Sequence, residues 1–191
     1  MHALAATASP LVRRYRLDEF FELEPPPGGG HYELIAGVLY MVPPPTRPHD
    51  FVVSHLIMAF AAYAAAHPES CMLFVPRAAV WSQADTYLEP DLFLVTTEHL
   101  AEMGSHTFTM ADLVVEVLSP SSAVYDRTAK ADTYAALGVR ELGLVDLEKR
   151  TIEQRVLADG RWAVRPPRAG ADVLESEVFP GLTVLPDVVF A

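Results

Sequence analysis

One charged residue, Glu116, stands inside the apolar run that follows Asp112 and extends to Leu118, and this feature limits what the chain can fold into. The stretch is rich in β-branched residues and is followed by Ser119 and Pro120, which is typical of a strand covered on both faces of a mixed or parallel sheet. A buried carboxylate is unfavourable unless it is paired or binds a metal ion. The stretch therefore predicts a core strand whose acid has a charged or metallic partner.

A turn and a helix are predicted to follow, over residues 122–137. Ser121 or Ser122 would be the N-cap, and Asp126 lies in the first turn, where the helix dipole favours an acid. Gly138 is the expected C-cap. The carboxylate of Glu116 would thus lie on a strand that leads directly into a helix start.

Two stripes compete for the buried face of this helix. One consists of Asp126, Lys130, Tyr134 and Leu137. The other consists of Val124, Thr128, Ala131 and Ala135. If the first stripe is buried, Lys130 is aimed at a site, and if the second is buried, Lys130 lies at a solvated edge.

A second acid, Asp91, opens the apolar run Leu92–Val95. Pro90 precedes it, and since proline is tolerated at the first position of a strand, Asp91 should mark the strand entrance. Two acids on separate apolar strands could converge on one cation. A small carboxylate set completed by water and phosphate oxygens suits Mg²⁺.

Four stretches, "YELIAGVLYMVPPP", "EPDLFLV", "DLVVEVLSPSS" and "DRTAKADTYAALGVRELGLVD", resemble in order and spacing the Uma-two restriction endonucleases, a branch of the PD-(D/E)xK nuclease superfamily. The resemblance covers most of the chain. It implies an α/β fold with a restriction-endonuclease-like core, a mixed sheet flanked by helices, and extra N-terminal and C-terminal β-hairpins. It also implies an endonuclease that hydrolyses DNA phosphodiester bonds with Mg²⁺ or Mn²⁺.

The resemblance also implies roles for four residues. Asp91 and Glu116 would be the metal ligands, Lys130 would be the catalytic lysine moved from the strand to the helix, and Glu33 would assist. The chain departs from the superfamily at Leu118, because that position, two residues after the glutamate, usually carries the lysine. Strand alternation places Leu118 on the same side as Glu116.

The chain departs from the family pattern at two further positions, and the placement of Glu33 is open. The family often has an acid at Ala36 and usually has tryptophan at Gly143, where glycine could loosen packing. Residues 32–42 alternate as a hairpin around Ala36 and Gly37, with Glu33 on one face. As an exposed hairpin residue, Glu33 would have no role in a site.

Charge opposes a nucleic-acid substrate. The chain has 14 Lys and Arg against 25 Asp and Glu, a formal net charge of −11, and its clearest basic run is "RRYR" at 13–16. This charge and Leu118 favour an alternative: a non-catalytic nuclease-fold protein that binds a protein or nucleic-acid partner. Metal binding would separate the two hypotheses.

The rest of the chain predicts one domain over 1–191, in which 1–30 form an extension and a loop. Expected elements are a connector at 43–50, a helix from Asp50 to about Ala66 that packs Phe51 and other aromatic residues on the sheet, a short helix at 96–103, a loop at 104–110, and a hairpin at 150–165. The apolar tail "LTVLPDVVF" would close an edge or meet a second copy, and a homodimer is expected.

Three features of the sequence predict a cytoplasmic protein: its cysteine content, its first residues and the length of its apolar stretches. The single cysteine, Cys71, excludes an intrachain disulfide and fits a reducing cytoplasm. The first 16 residues do not resemble a signal peptide. No apolar stretch is expected to reach the roughly 18 residues of a membrane span, so a cytoplasmic protein without membrane contact is expected.

Overall fold

The computed structural model describes residues 13–82, 84–103, 110–119 and 123–191. Within these residues, three sheets and several helices alternate along the chain. The elements are α1 (Leu17–Phe21), β1 (His31–Ile35), β2 (Val38–Val42), α2 (Arg47–Ala66), β3 (Cys71–Phe74), β4 (Val80–Ser82), β5 (Thr86–Leu88), β6 (Leu92–Thr96), α3 (Thr97–Glu102), β7 (Leu113–Leu118), α4 (Ala123–Tyr125), a π-helical segment (Asp126–Lys130), α5 (Ala131–Ala136), β8 (Glu141–Asp146), β9 (Thr151–Ala158), β10 (Arg161–Val164), β11 (Arg168–Ala169), β12 (Leu174–Glu175), β13 (Thr183–Val184) and α6 (Pro186–Val189).

The largest sheet has the strand order β10-β9-β8-β7-β6-β3, and β11 also pairs with β9. Strands β7 and β8 are parallel, whereas the neighbouring pairs are antiparallel. All six residues of β7 are buried, since helices and other strands cover both faces of the sheet. The predicted mixed sheet with a central, doubly covered strand is confirmed.

A smaller antiparallel sheet, β2-β1-β5-β4, packs over one face of the large sheet. Its first hairpin turns at Ala36 and Gly37, whose φ angles of 48° and 79° lie in the left-handed region that a tight two-residue turn requires. Ile35 from this sheet shares one core cluster with Phe93 and Val114 from the large sheet. The predicted N-terminal hairpin is confirmed, and packing fixes its position beside β7.

The opposite face of the large sheet is covered by α2. This helix begins at Arg47 rather than at Asp50, so the predicted connector is too long. A proline near the start of a helix is tolerated because the first N–H groups have no intrahelical acceptor. The expected aromatic contact is wrong for Phe51, which is 59% exposed. The helix buries Val52, Val53, Leu56 and Phe60 instead.

Helix α2 is long and apolar enough to span a membrane by length and composition alone. The expectation that no segment of the chain reaches that length and apolar character is therefore wrong. The criterion is weak evidence for a span, because core helices of globular proteins meet it as well. Part of α2 packs on the sheet, and 22% of its apolar window is buried.

The C-terminal tail folds back on its own chain. Leu182, Val184, Val189 and Phe190 join the core cluster beneath α2. An apolar tail that is covered by its own core is no longer a reason to expect a second copy. The homodimer stays a prediction.

The predicted helix over 122–137 is divided into α4, the π-helical segment and α5, and it ends before Gly138, whose φ is 84°. The later hairpin turns at Asp159 and Gly160, between the paired residues Ala158 and Arg161, as predicted. The proposed N-cap residues 121 and 122 and most of the loop at 104–110 lie outside the described residues.

Gly143 lies in β8 beside a small cavity of about 30 Å³. A Cβ atom at Gly143 would stand 3.4 Å from Val115 Cγ2, which is ordinary contact. The wall of the cavity also includes Leu56 and Phe60 of α2. The glycine therefore leaves a small gap under α2, on the sheet face opposite Glu116.

Candidate active site

Asp91 lies directly before β6, the strand that pairs with β7. The last register pair of these antiparallel strands is Leu92 with Val115, one residue short of Asp91 and Glu116. The Oδ2 atom of Asp91 accepts a hydrogen bond of 2.7 Å from the backbone N–H of Val117. The two acids thus lie on neighbouring strands, as predicted, and this bond holds the Asp91 carboxylate against β7.

Glu116 points into the core between the large sheet and α5. Its Oε1 atom accepts a hydrogen bond of 2.6 Å from the Tyr134 hydroxyl and one of 3.2 Å from Lys130 Nζ. The residue is 4% exposed. Burial raises the pKa of Glu116 well above its usual range, and the positive charge of Lys130 offsets this only in part.

Lys130 joins three carboxylates. Its Nζ atom lies 3.0 Å from Glu33 Oε2, 3.2 Å from Glu116 Oε1 and 3.4 Å from Asp126 Oδ1. Burial alone would lower the pKa of Lys130, but the three negative charges outweigh it and raise that pKa well above its usual value. We call these four side chains the lysine cluster.

The first of the two predicted helical stripes is the buried one. Asp126, Lys130 and Tyr134 are all buried, whereas the other stripe buries only Ala131 and leaves Val124 79% exposed. The π-helical segment contains the turn from Asp126 to Lys130. Such segments are rare in globular proteins and often occur at functional sites.

Glu33 lies on β1 of the smaller sheet and is fully buried. Its Oε1 atom accepts a hydrogen bond of 3.0 Å from the backbone N–H of Glu89, and its Oε2 atom contacts Lys130. Burial raises the pKa of Glu33, although Lys130 opposes the shift. The alternative of an exposed hairpin residue is therefore wrong, and the packing of the two sheets brings Glu33 to the lysine cluster.

The lysine cluster and Asp91 line one cleft of about 670 Å³. Its wall is formed by β1, the end of β2 with the prolines that follow it, the start of α2, the loop after β3, the residues directly before β6, the end of β7, and the π-helical segment with Tyr125 before it. The charged lining residues are Glu33, Asp50, Arg77, Glu89, Asp91, Glu116, Asp126 and Lys130, together with His31 and His49. All four predicted site residues are thus brought together at one cavity.

The charge balance of the cleft fits a divalent cation. Six carboxylates line it against two permanent cations, Arg77 and Lys130. No three His, Cys, Asp or Glu side chains among the described residues converge as a metal-binding group. Asp91 and Glu116 would instead supply two hard oxygen ligands, a set that Mg²⁺ and Mn²⁺ complete with water and substrate oxygens.

Sequence reasoning gave no site role to several residues that the fold brings to the cleft. His49, in the first turn of α2, has Nε2 3.3 Å from Asp91 Oδ1. Burial opposes the charged form of His49, but hydrogen bonding to Asp91 outweighs it and raises its pKa. Tyr134 binds Glu116, and only its shared stripe with Lys130 signalled this.

Glu89, Arg77 and His31 form a second group on the cleft wall. Arg77 Nη1 lies 2.6 Å from Glu89 Oε2, and His31 Nε2 lies 3.8 Å from the same oxygen. Glu89 stands two residues before Asp91, a spacing that places both side chains on one side of an extended chain. This spacing is the one sequence feature that could have indicated that Glu89 lies beside Asp91 at the cleft.

Leu118 is buried in the core cluster that includes Tyr134 and Val114. It shares the sheet face of Glu116, as strand alternation predicts. Because Leu118 is apolar, the positive charge beside Glu116 comes from Lys130 at the end of the π-helical segment. The roles assigned to Asp91, Glu116, Lys130 and Glu33 stay predictions.

Comparison with known proteins identifies the family. The Uma2 family model, described as "Putative restriction endonuclease", matches residues 17–187. The crystal structure of "a putative nuclease belonging to DUF820" from Anabaena variabilis is similar, with a TM-score of 0.72 and 16% sequence identity over 92% of this chain and 97% of that chain. At this identity the likeness establishes the nuclease-like fold alone. A search of curated proteins found no match. Because the family model spans most of its length, the chain belongs to the Uma2 family.

Proposed function

We propose that this chain is a nuclease that hydrolyses phosphodiester bonds in DNA with Mg²⁺ or Mn²⁺. The observation that carries the proposal is the lysine cluster. One buried ammonium lies within 3.4 Å of three carboxylates, at a cleft that also contains Asp91. Strongly shifted titratable groups in a cleft are characteristic of catalytic sites.

Asp91 and Glu116 would hold the divalent ion. When bound, the ion would supply Lewis-acid activation of the phosphate and lower the pKa of a bound water. The chain prepares Asp91 through the 2.7 Å bond from the Val117 N–H and prepares Glu116 through the 2.6 Å bond from Tyr134. Both carboxylates are therefore positioned before any ligand arrives.

Lys130 would orient the attacking water and stabilise the negative charge that develops on the phosphate in the transition state. Its ammonium is fixed by Glu33 and Asp126, which do not belong to the proposed ligand pair. Glu33 would therefore assist by positioning Lys130. Preorganised charge of this kind lowers a barrier because it needs no reorientation during reaction.

Two observations favour the different function of a non-catalytic binding protein. Lys130 already neutralises part of the charge that a metal ion would neutralise, and the net charge of −11 repels DNA. In that case the lysine cluster would be a structural ion pair network, and the cleft or another surface would bind a partner.

The test is cleavage of supercoiled plasmid and of circular single-stranded DNA with Mn²⁺ at low salt. Asp91→Asn, Glu116→Gln and Lys130→Met should each lose cleavage, whereas the exposed control Glu148→Gln should keep it. Equal cleavage by all preparations would identify a contaminant and refute the site. No cleavage by the wild type on either DNA, under conditions in which Mn²⁺ binds, would refute the nuclease proposal.

A further inference from the structure

We infer that the cleft accepts an unpaired DNA strand rather than a base-paired duplex. The inference rests on the proposed nuclease function and specifies its substrate. It follows from three properties of the cleft: the depth of its charged groups, the apolar character of its walls, and the small number of its cations.

The charged groups that would act on a phosphate lie deep. Glu116 and Lys130 are each 4% exposed, and the Asp91 side chain is 17% exposed. The cleft volume of about 670 Å³ is that of a small-molecule pocket, for which roughly 300–1,000 Å³ is typical. A single strand with splayed bases can enter such a space, whereas the phosphates of a rigid duplex stay at its mouth.

The walls of the cleft suit bases better than phosphates. Its rigid apolar lining includes Pro43, Pro44, Pro45, Pro76, Pro90, Val42, Val53 and Tyr125. The Tyr125 ring packs against Tyr40 with centroids 5.3 Å apart, and Lys130 Nζ lies 5.7 Å from the centroid of the same ring, so contacts with both residues hold the ring in place. Unpaired bases expose flat apolar faces that pack on such surfaces, whereas a duplex keeps those faces stacked inside the helix.

Duplex binding depends mainly on Lys and Arg contacts to phosphates along the groove. The cleft lining has two permanent cations, and Lys130 is buried among carboxylates. Arg77 is 70% exposed and is tethered to Glu89 at 2.6 Å, so it can contact one phosphate while keeping its position. One exposed arginine in the lining falls short of the row of phosphate contacts that a duplex requires.

The experiment is fluorescence anisotropy with one labelled DNA strand, alone and annealed to its complement, in Ca²⁺ at low salt. The single strand should bind at least about tenfold more tightly than the duplex, the scale of one base packed on an aromatic wall. Equal or tighter binding of the duplex, or no binding of either form, would overturn the inference.

Variants of the wall sharpen the test. Tyr125→Ala should weaken single-strand binding about tenfold, Tyr125→Phe should keep it, and Tyr32→Ala, outside the cleft lining, should have no effect. Because Tyr125→Ala could disturb the packing with Tyr40, the exposed Pro44→Glu is a second variant, and its added negative charge should also weaken single-strand binding. Unchanged binding in folded Tyr125→Ala and in Pro44→Glu would contradict the inference.

Cleavage separates this inference from the proposed function. Cleavage of single-stranded and duplex DNA at equal rates would leave the nuclease proposal standing and overturn the inference. Selective binding of the single strand without cleavage of any DNA would support the inference and refute the nuclease proposal.

Discussion

Two buried carboxylates on the adjacent strands β7 and β8 are stabilised in different ways. Glu141 on β8 accepts hydrogen bonds from Gln154 Nε2 at 2.9 Å, from Ser176 Oγ at 2.8 Å, and from the backbone N–H groups of Glu177 and Val178 at 3.0 and 3.1 Å. All these donors are neutral. Glu116 on β7 shares one ammonium with two other carboxylates.

The difference indicates which acid is structural. The donors around Glu141 come from β9 and from the segment after β12, so its carboxylate fixes the C-terminal region to the sheet. In the lysine cluster three negative charges meet one positive charge beside an open cleft, and a second cation would improve the balance. Burial alone does not identify a functional acid, and it is the excess of buried negative charge around Lys130 that supports the proposed site.

The largest expected effect is the loss of DNA cleavage when Glu116, rather than Glu141, is replaced by a neutral residue. Glu116→Gln should lower metal-dependent cleavage more than about 100-fold, because even the loss of a residue that supports a metal ligand costs about 10–100-fold. Its stability should stay equal or rise, since a carboxylate with a raised pKa is removed. The measurements are single-turnover cleavage and urea unfolding.

Glu141→Gln is the matched control for this prediction. It should keep cleavage but lose about 1–3 kcal/mol of unfolding free energy, because buried donors lose their charged acceptor. If Glu141→Gln lost activity and Glu116→Gln lost only stability, the assignment of the two acids would be reversed.

Removal of the shared cation should have the next largest effect. Lys130→Met leaves three buried carboxylates without a positive partner, and breaking a buried pair costs about 3–5 kcal/mol. Added Mn²⁺ should restore part of this loss, since it supplies positive charge at the same place. Urea unfolding with and without Mn²⁺ measures both effects.

Lys149→Met is the control, because Lys149 is largely exposed and its pair with Asp146 is a surface ion pair. This variant should be nearly as stable as the wild type and should respond to Mn²⁺ as the wild type does. A Lys130→Met protein as stable as the wild type without metal would mean that the lysine cluster is not held by charge.

The smallest expected effect is on the pH dependence of stability. Burial, together with the positive charges of Arg77 and Lys130, lowers the pKa of His31 from 6.5 to about 4. Between these values the unfolded chain binds a proton that the folded chain does not, so His31 lowers stability as the pH falls. His31→Asn should reduce the decrease in unfolding free energy on acidification by up to about 2 kcal/mol.

Thermal unfolding of wild type and His31→Asn between pH 7 and about pH 4 measures this contribution. His67→Asn, which lies outside the cleft lining, is the control. Parallel stability curves for the wild type and His31→Asn across this range would show that neither burial nor the nearby positive charges lower the pKa of His31.

Local patterns predicted the strands and the turns. The apolar run that contains Glu116, the Ala36–Gly37 hairpin and the strand after Asp91 are all determined by residues close in sequence, and each forms as expected. For the following helix, spacing gave two candidate stripes, and only tertiary packing buries the one that contains Lys130 and Tyr134.

Contacts between residues far apart in sequence could not be predicted from local sequence patterns. The start of α2 brings His49 to Asp91, and the contact between two sheets brings Glu33 to Lys130, across many residues in each case. The position of the tail under α2 depends on the buried acceptor Glu141, which sequence alone cannot distinguish from the acid of a site. Tertiary contacts decided these features.

If the excess negative charge around Lys130 and Asp91 forms a divalent-cation site, titration calorimetry with Mn²⁺ should detect binding of the ion there. The wild type and Glu148→Gln, which removes one exposed carboxylate, should bind Mn²⁺ with the same affinity. Asp91→Asn and Glu116→Gln should show no comparable binding while remaining folded by circular dichroism. Equal Mn²⁺ binding by all four proteins, or none by the wild type, would contradict such a site.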